Sequence, residues 1–256
     1  PLPRVGYSGG YGLNAQMALD FSNANARLVL SERRGLSGSA SLYTPLGPFT
    51  LALSGALKED ANDPFDSRLL VTRAPEASVL WPLPLGRGGA DLQAQWSNLT
   101  EYPRRVTHDR LLLRAGYRWH LPARHRLAWQ GSLALTEANY SAGFHQRTAG
   151  ATVEGLLSLA PQTTLGLAYR HTDVSGSTPF FFDDVNVPRE VAFSLGAPLA
   201  RKWLGRTSWQ YDCQRHRVYD GQVTLENIQH CLAYAATWVK RRATVEFGIR
   251  LVPHPH

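Results

Sequence analysis

Arg110, Arg114 and Arg118 recur at every fourth residue of one stretch of this chain. Guanidinium groups spaced in this way carry fixed positive charge and bind carboxylate or phosphate by paired N–H donors. With Asp91, Gln93, Gln95, Glu154 and Arg170 they make a polar set that fits two readings. One is the charged wall of a water-filled passage that attracts anions or phosphorylated headgroups; the other is a set of ion pairs that fills an interior. The sequence leaves both open.

Other reactive residues are less organised. His108, His120, His125, His145, His171, His216 and His230 could each supply a general base, but such a base needs a serine or acid partner on the same rim. Most of them lie beside turns, where a solvated histidine is ordinary. Asp183 and Asp184, with Asn186 nearby, are too few for a convincing calcium loop and read better as caps of the loop that holds them. No Gly-x-Ser-x-Gly elbow, His-Glu-x-x-His helix or phosphate-binding glycine loop occurs. Neither bond chemistry, metal nor cofactor is therefore expected. Cys213 and Cys231 are 18 apart and match no zinc spacing. They stand either as free thiols or as a disulfide joining strands on either side of one intervening segment, which requires Cα atoms within about 7 Å.

Composition narrows the elements that position these residues. Hydrophobic residues make up 43% and charged residues 18%, which excludes a disordered chain. The net charge of +7 is nearly all arginine and is scattered along the chain, so nucleic acid is not an expected partner. The most apolar stretch, 71–85, is broken by Arg73, Pro75, Glu76, Pro82 and Pro84, which leaves no transmembrane helix. A chain of this kind can span a bilayer only as a closed barrel, where every backbone group pairs between strands. The start, Pro1-Leu2-Pro3-Arg4, has no apolar leader, and the chain reads as a fragment of a longer parent.

The strongest signal is period-two alternation along most of the chain. Leu92, Ala94 and Trp96 alternate with Asp91, Gln93, Gln95 and Ser97; Leu111, Leu113, Ala115, Tyr117 and Trp119 alternate with Arg110, Arg114, Arg118 and His120. Similar runs cover 13–21, 49–58, 126–137, 148–159, 165–172, 190–195, 207–213, 222–228, 231–240 and 243–251, with weaker ones near 26–33, 38–43 and 68–81. Several are long enough for the roughly 9–11 residues of a tilted membrane strand. Tyr117 with Trp119, and Tyr234 with Trp238, suit interfacial aromatic belts. Short turns at 121–125 and 160–163 contrast with longer segments at 58–66, 97–109 and 173–189, which read as exposed loops. The expectation is an all-β, antiparallel transmembrane β-barrel of outer-membrane type, with about 12–16 strands. It fills 1–256 as a single domain or is the C-terminal part of a larger barrel.

Three C-terminal runs carry a more specific pattern: Gly176-Ser177-Thr178-Pro179-Phe180-Phe181-Phe182-Asp183, then Trp209-Gln210-Tyr211-Asp212, then Ile228-Gln229-His230-Cys231-Leu232-Ala233-Tyr234. Over about 80 residues this resembles the end of the outer-membrane lipopolysaccharide-assembly proteins of the LptD type. The resemblance implies transport of lipopolysaccharide or another glycolipid to the cell surface, with outer-membrane lipid, a plug lipoprotein and a periplasmic bridge as partners. It also implies a lateral seam edged by the last strand, with Val245, Phe247, Ile249 and Leu251 outward. The chain departs from that family in lacking an adjacent cysteine pair and in ending Pro253-His254-Pro255-His256. Besides glycolipid export, the same periodicity suits a passive porin-like channel, a barrel deacylase or protease, or a soluble β-sandwich.

Overall fold

The structure, a computed structural model, describes residues 14–20, 24–31, 35–61, 69–124, 126–229, 232–240 and 243–251. Among these are fifteen strands in a single sheet whose spatial order is the chain order. They are β1 (Asn14–Asp20), β2 (Ala24–Ser31), β3 (Gly35–Leu46), β4 (Phe49–Asp60), β5 (Leu70–Leu85), β6 (Gly88–Tyr102), β7 (Val106–Arg124) and β8 (Leu127–Tyr140). There follow β9 (His145–Ala160), β10 (Thr163–Gly176), β11 (Arg189–Ala200), β12 (Trp203–Asp212), β13 (Arg217–Gln229), β14 (Leu232–Val239) and β15 (Thr244–Leu251). Every neighbouring pair is antiparallel, as hairpin connections require.

The alternation seen in the sequence becomes two faces with different solvents. Leu111, Leu113, Leu133, Leu135, Leu167, Phe247 and Ile249 stand exposed on one face, an arrangement that costs nothing when that solvent is hydrocarbon. Tryptophans there lie flat over cross-strand glycines. Trp119 pairs with Gly131 and Trp209 with Gly221, and a Cβ on either glycine would fall within 2.4 Å of the indole ring. The small partner is what lets each large ring pack down on the sheet.

One end of the sheet closes in two-residue turns, such as Gly47-Pro48, where Gly47 takes a positive φ of 59° that an L side chain resists. The other end carries the longer connections, which in outer-membrane barrels face outward from the cell. Two of the expected loops are not loops throughout. The β6–β7 ladder continues to Glu101 and Val106, so 97–109 turns only at Pro103–Arg105. Its polar side chains pair across the ladder, with Asn98 donating to Asp109 at 2.8 Å and the Thr100 and Thr107 hydroxyls 2.9 Å apart. Likewise β10 runs to Gly176, and the segment after it folds inward rather than into solvent. The segment 58–66 falls partly outside the described residues. Val71, Leu99, Ala138 and Tyr140 form a buried apolar cluster with Phe180, which that inward segment supplies.

Among the described residues no pairing joins β1 to β15, and these two strands run in the same direction.

Candidate channel lumen and its inward-folded loop

Register decides which side chains share the polar face. Gln93 lies opposite Arg114, which lies opposite Thr136; Arg118 lies opposite Ser132, Ser132 opposite Thr152, and Thr152 opposite Arg170. Arg110 pairs with Ser97 in the same ladder that pairs Asp91 with Gly116, and Glu154 pairs with Gln130. Directly opposed residues point to one side. Asp91, Gln93, Gln95, Arg110, Arg114, Arg118, Glu154 and Arg170 therefore occupy a single face, which is the inside of the barrel. At fifteen strands the interior is far wider than side chains fill in a barrel of about 8 strands, and approaches that of the roughly 16–18-stranded porins.

In three ion pairs on this face the two signs of charge sit at different depths. Arg118 is 77% exposed while its partner Asp91 is 13% exposed; Arg170 and Glu190 are 55% and 8%, Arg206 and Glu226 58% and 4%. The separations are 3.6, 3.5 and 3.7 Å, long for charge-assisted bonds, so each guanidinium is loosely tied to a carboxylate behind it. The carboxylates are held from the wall itself: Tyr219 donates to Glu190 and Gln130 donates to Glu154. Arg114 is exposed and forms no ion pair among the described residues. Of these three pairs, a solute in the lumen meets mainly the arginine.

The segment 177–188 crosses from the β10–β11 end to the wall built by β5–β8. Phe180, 1% exposed, is its anchor, packed edge-on to Tyr140 and against the ring of Phe182. The fully buried Glu101 carboxylate accepts the backbone N–H groups of Phe181 and Phe182 at 2.5 and 3.1 Å. Arg104 lies 4.1 Å from the centre of the Phe181 ring. Arg110 donates to both oxygens of Asp183 at 2.8 Å, and the Tyr140 hydroxyl donates to the same carboxylate at 2.9 Å. A loop so fixed to the inner wall narrows the passage. Asp183 is thus bound to the Arg110 guanidinium and the Tyr140 hydroxyl rather than free for calcium, and Arg110 is tightly neutralised while Arg118 is only loosely paired with Asp91.

Of the remaining residues, Cys213 is a free thiol in the β12–β13 turn, where its backbone N–H donates to the Arg189 carbonyl. Cys231, its partner in the possible disulfide, lies outside the described residues. On β15, Val245, Phe247 and Ile249 are exposed on the lipid-facing side, while Leu251 is paired with Leu232 in register. Among the described residues a Ser/His approach occurs between Ser141 Oγ, in the β8–β9 turn, and His108 Nδ1 at 3.5 Å, too long for a well-formed bond, and this hydroxyl accepts the N–H of Asp109. The inward loop escaped sequence reasoning; its signal was the aromatic run Phe180-Phe181-Phe182 inside a segment otherwise rich in turn residues.

No protein-family profile matches the chain, and no curated protein matches its sequence. Solved structures do match in shape. CdiB from Acinetobacter baumannii aligns over 93% of this chain and 56% of its own, with a TM-score of 0.51 and 11% identity. The siderophore receptor PirA from the same organism aligns over 94% and 54% (TM-score 0.46, 10% identity), and an anion-selective porin from Comamonas acidovorans over 94% and 87% (TM-score 0.41, 10% identity). The chain thus spans little more than half of CdiB and PirA. The fold is that of a bacterial outer-membrane β-barrel, and its exposed apolar face and polar interior place it in the outer membrane.

Proposed function

We propose that this barrel is a passive, porin-like diffusion channel that favours small anionic solutes. The observation that carries the reading is the depth difference across the lumen wall: Arg118, Arg170 and Arg206 project into the lumen, whereas Asp91, Glu190 and Glu226 are far less exposed behind them. Arg114 adds a charge that has no ion-pair partner among the described residues, and the loop 177–188 is fixed to the same wall at Arg110. The arginines raise local anion concentration without any step of bond chemistry. The test is the reversal potential of the full chain in a planar bilayer under a potassium chloride gradient. Chloride preference is expected, with Arg114→Glu shifting it toward cations; a cation-preferring wild type, or no conductance, would overturn the reading.

One observation favours a second reading, glycolipid export of the lipopolysaccharide-assembly kind. Among the described residues β1 and β15 each have one unpaired edge, as a lateral exit to the bilayer needs, and β15 is apolar on its outer side. A plug lipoprotein and a periplasmic bridge would then be partners. Cross-linking β1 to β15 would block appearance of glycolipid at the surface under this reading and leave ion conductance intact under the first.

A further inference from the structure

We infer that the short-turn mouth of the lumen carries a binding site for a phosphorylated sugar, an inference that rests on the lumen being an anion passage and names its class of solute. A cavity of about 1120 Å³ lies there against β10–β13, just above the roughly 300–1,000 Å³ of ordinary ligand pockets and roomy enough for a ring and a phosphate together. Three basic residues line it, Arg206 on the wall and Arg201 and Lys202 in the β11–β12 turn, and no acid does. Glu226 is paired with Arg206 at 3.7 Å, whereas Arg201 and Lys202 have no ion pair among the described residues. The next acid in register, Glu246, stands two strands beyond Thr224. The cavity therefore keeps a surplus of positive charge, at the opposite end of the barrel from the loop 177–188.

Register builds the rest of the site. Thr164, Gly196, Arg206 and Thr224 face one another in turn across β10–β13, and Gly166, Ser194, Ser208 and Gln222 do so two residues further along. Both rows share the inward parity of Arg170 and Glu190, and they lie about 7 Å apart at strand rise. Each row carries a glycine beside a hydroxyl: a Cβ on Gly166 would fall 2.3 Å from Ser194 Oγ, and one on Gly196 3.2 Å from Thr164 Oγ1. The wall dips there, and the hydroxyls lean across the dip. On the far side Gln222 Nε2 donates to Thr224 Oγ1 at 3.3 Å, and the Thr224 and Thr237 hydroxyls meet at 3.0 Å. Hydroxyls and amides both donate and accept, as the hydroxyls of a sugar ring require, while guanidinium and ammonium groups donate only and suit a phosphate. Pro198 and Leu204, directly opposed, place an apolar step between the hydroxyl rows and the basic turn, a surface for the C–H groups of the ring. An inorganic anion would leave the hydroxyl rows unused and a neutral sugar the cations; a sugar phosphate matches both.

The experiment records chloride current through the full chain in a planar bilayer at low salt, where screening is weak, with glucose 6-phosphate, glucose or inorganic phosphate added to both sides. Glucose 6-phosphate should half-block the current at a concentration at least tenfold below that of either other probe. Arg201→Gln with Lys202→Gln should raise that concentration about tenfold, and Ser208→Leu, which fills the hydroxyl rows, should bring glucose 6-phosphate to the level of inorganic phosphate. Heat-modifiable migration of each variant verifies folding. Calorimetric titration of the same chain in detergent reads binding without current: glucose 6-phosphate bound by a barrel that does not conduct would refute the channel and uphold the site. Chloride-selective conductance with equal block by glucose 6-phosphate and inorganic phosphate, or unchanged block in the folded double variant, would overturn the site and leave the channel standing.

Discussion

Replacing Asp183 by alanine removes the electrostatic latch of the inward loop. The Arg110 side chain is only 8% exposed and donates at 2.8 Å to both carboxylate oxygens, and Tyr140 adds a third bond at 2.9 Å. Breaking a buried pair by deleting one partner costs about 3–5 kcal/mol, because the surviving charge is left in a poor solvent. Arg110 regains some water when the loop lifts, so about 3 kcal/mol is the working value for the docked state, on the order of a hundredfold in the open-to-docked ratio at 1.36 kcal/mol per factor of ten. Phe180 and the Glu101 bonds still hold the loop, so the variant flickers rather than staying open. Single-channel recordings should show frequent high-conductance events absent from the wild type, and protease cleavage beside Phe181 should accelerate. Arg110→Ala should behave alike, and the double variant should be no worse than either alone, the signature of a coupled pair. Unchanged conductance and protease resistance in Asp183→Ala would refute the latch.

Phe180→Ala empties the aromatic anchor and should weaken docking by about 3–5 kcal/mol, seen as rapid chymotrypsin cleavage in the 177–188 segment with unchanged heat-modifiable migration of the barrel. Gly131→Ala drives a methyl into the Trp119 ring, where the space is 2.3 Å, and should cost about 1–3 kcal/mol, read as a lower unfolding midpoint in denaturant with shifted tryptophan emission. Leu135→Arg places a charge on a lipid-facing position that is 62% exposed and should destabilise the membrane-folded state by about 2–4 kcal/mol, measured by folding titration into vesicles.

Strand placement was legible where alternation is strict, as in β6 and β7, because a side chain facing lipid and one facing water obey opposite rules at each step. Strand ends were less so. Thr100, Glu101 and Thr107 read as loop composition, yet they stay in the ladder, where the Thr100 and Thr107 hydroxyls meet across the strands and the Glu101 carboxylate holds the inward segment. The common face of Arg110, Arg114, Arg118 and Arg170 follows from their parity once register is known, and register is a long-range property. The loop was hidden for the same reason. Its anchors Glu101, Arg110 and Tyr140 lie 43 to 81 residues away in the chain, and no local pattern at 177–188 announces them.

The central claim, that one face of the sheet meets water and the other lipid, is tested most directly at two adjacent positions. In a chain whose native cysteines are replaced by serine, Thr136→Cys and Leu135→Cys differ by one residue and point to opposite sides of β8. In outer-membrane vesicles a charged, water-soluble maleimide should label Thr136→Cys and leave Leu135→Cys unmodified. Labelling of Leu135→Cys with protection of Thr136→Cys would contradict the account.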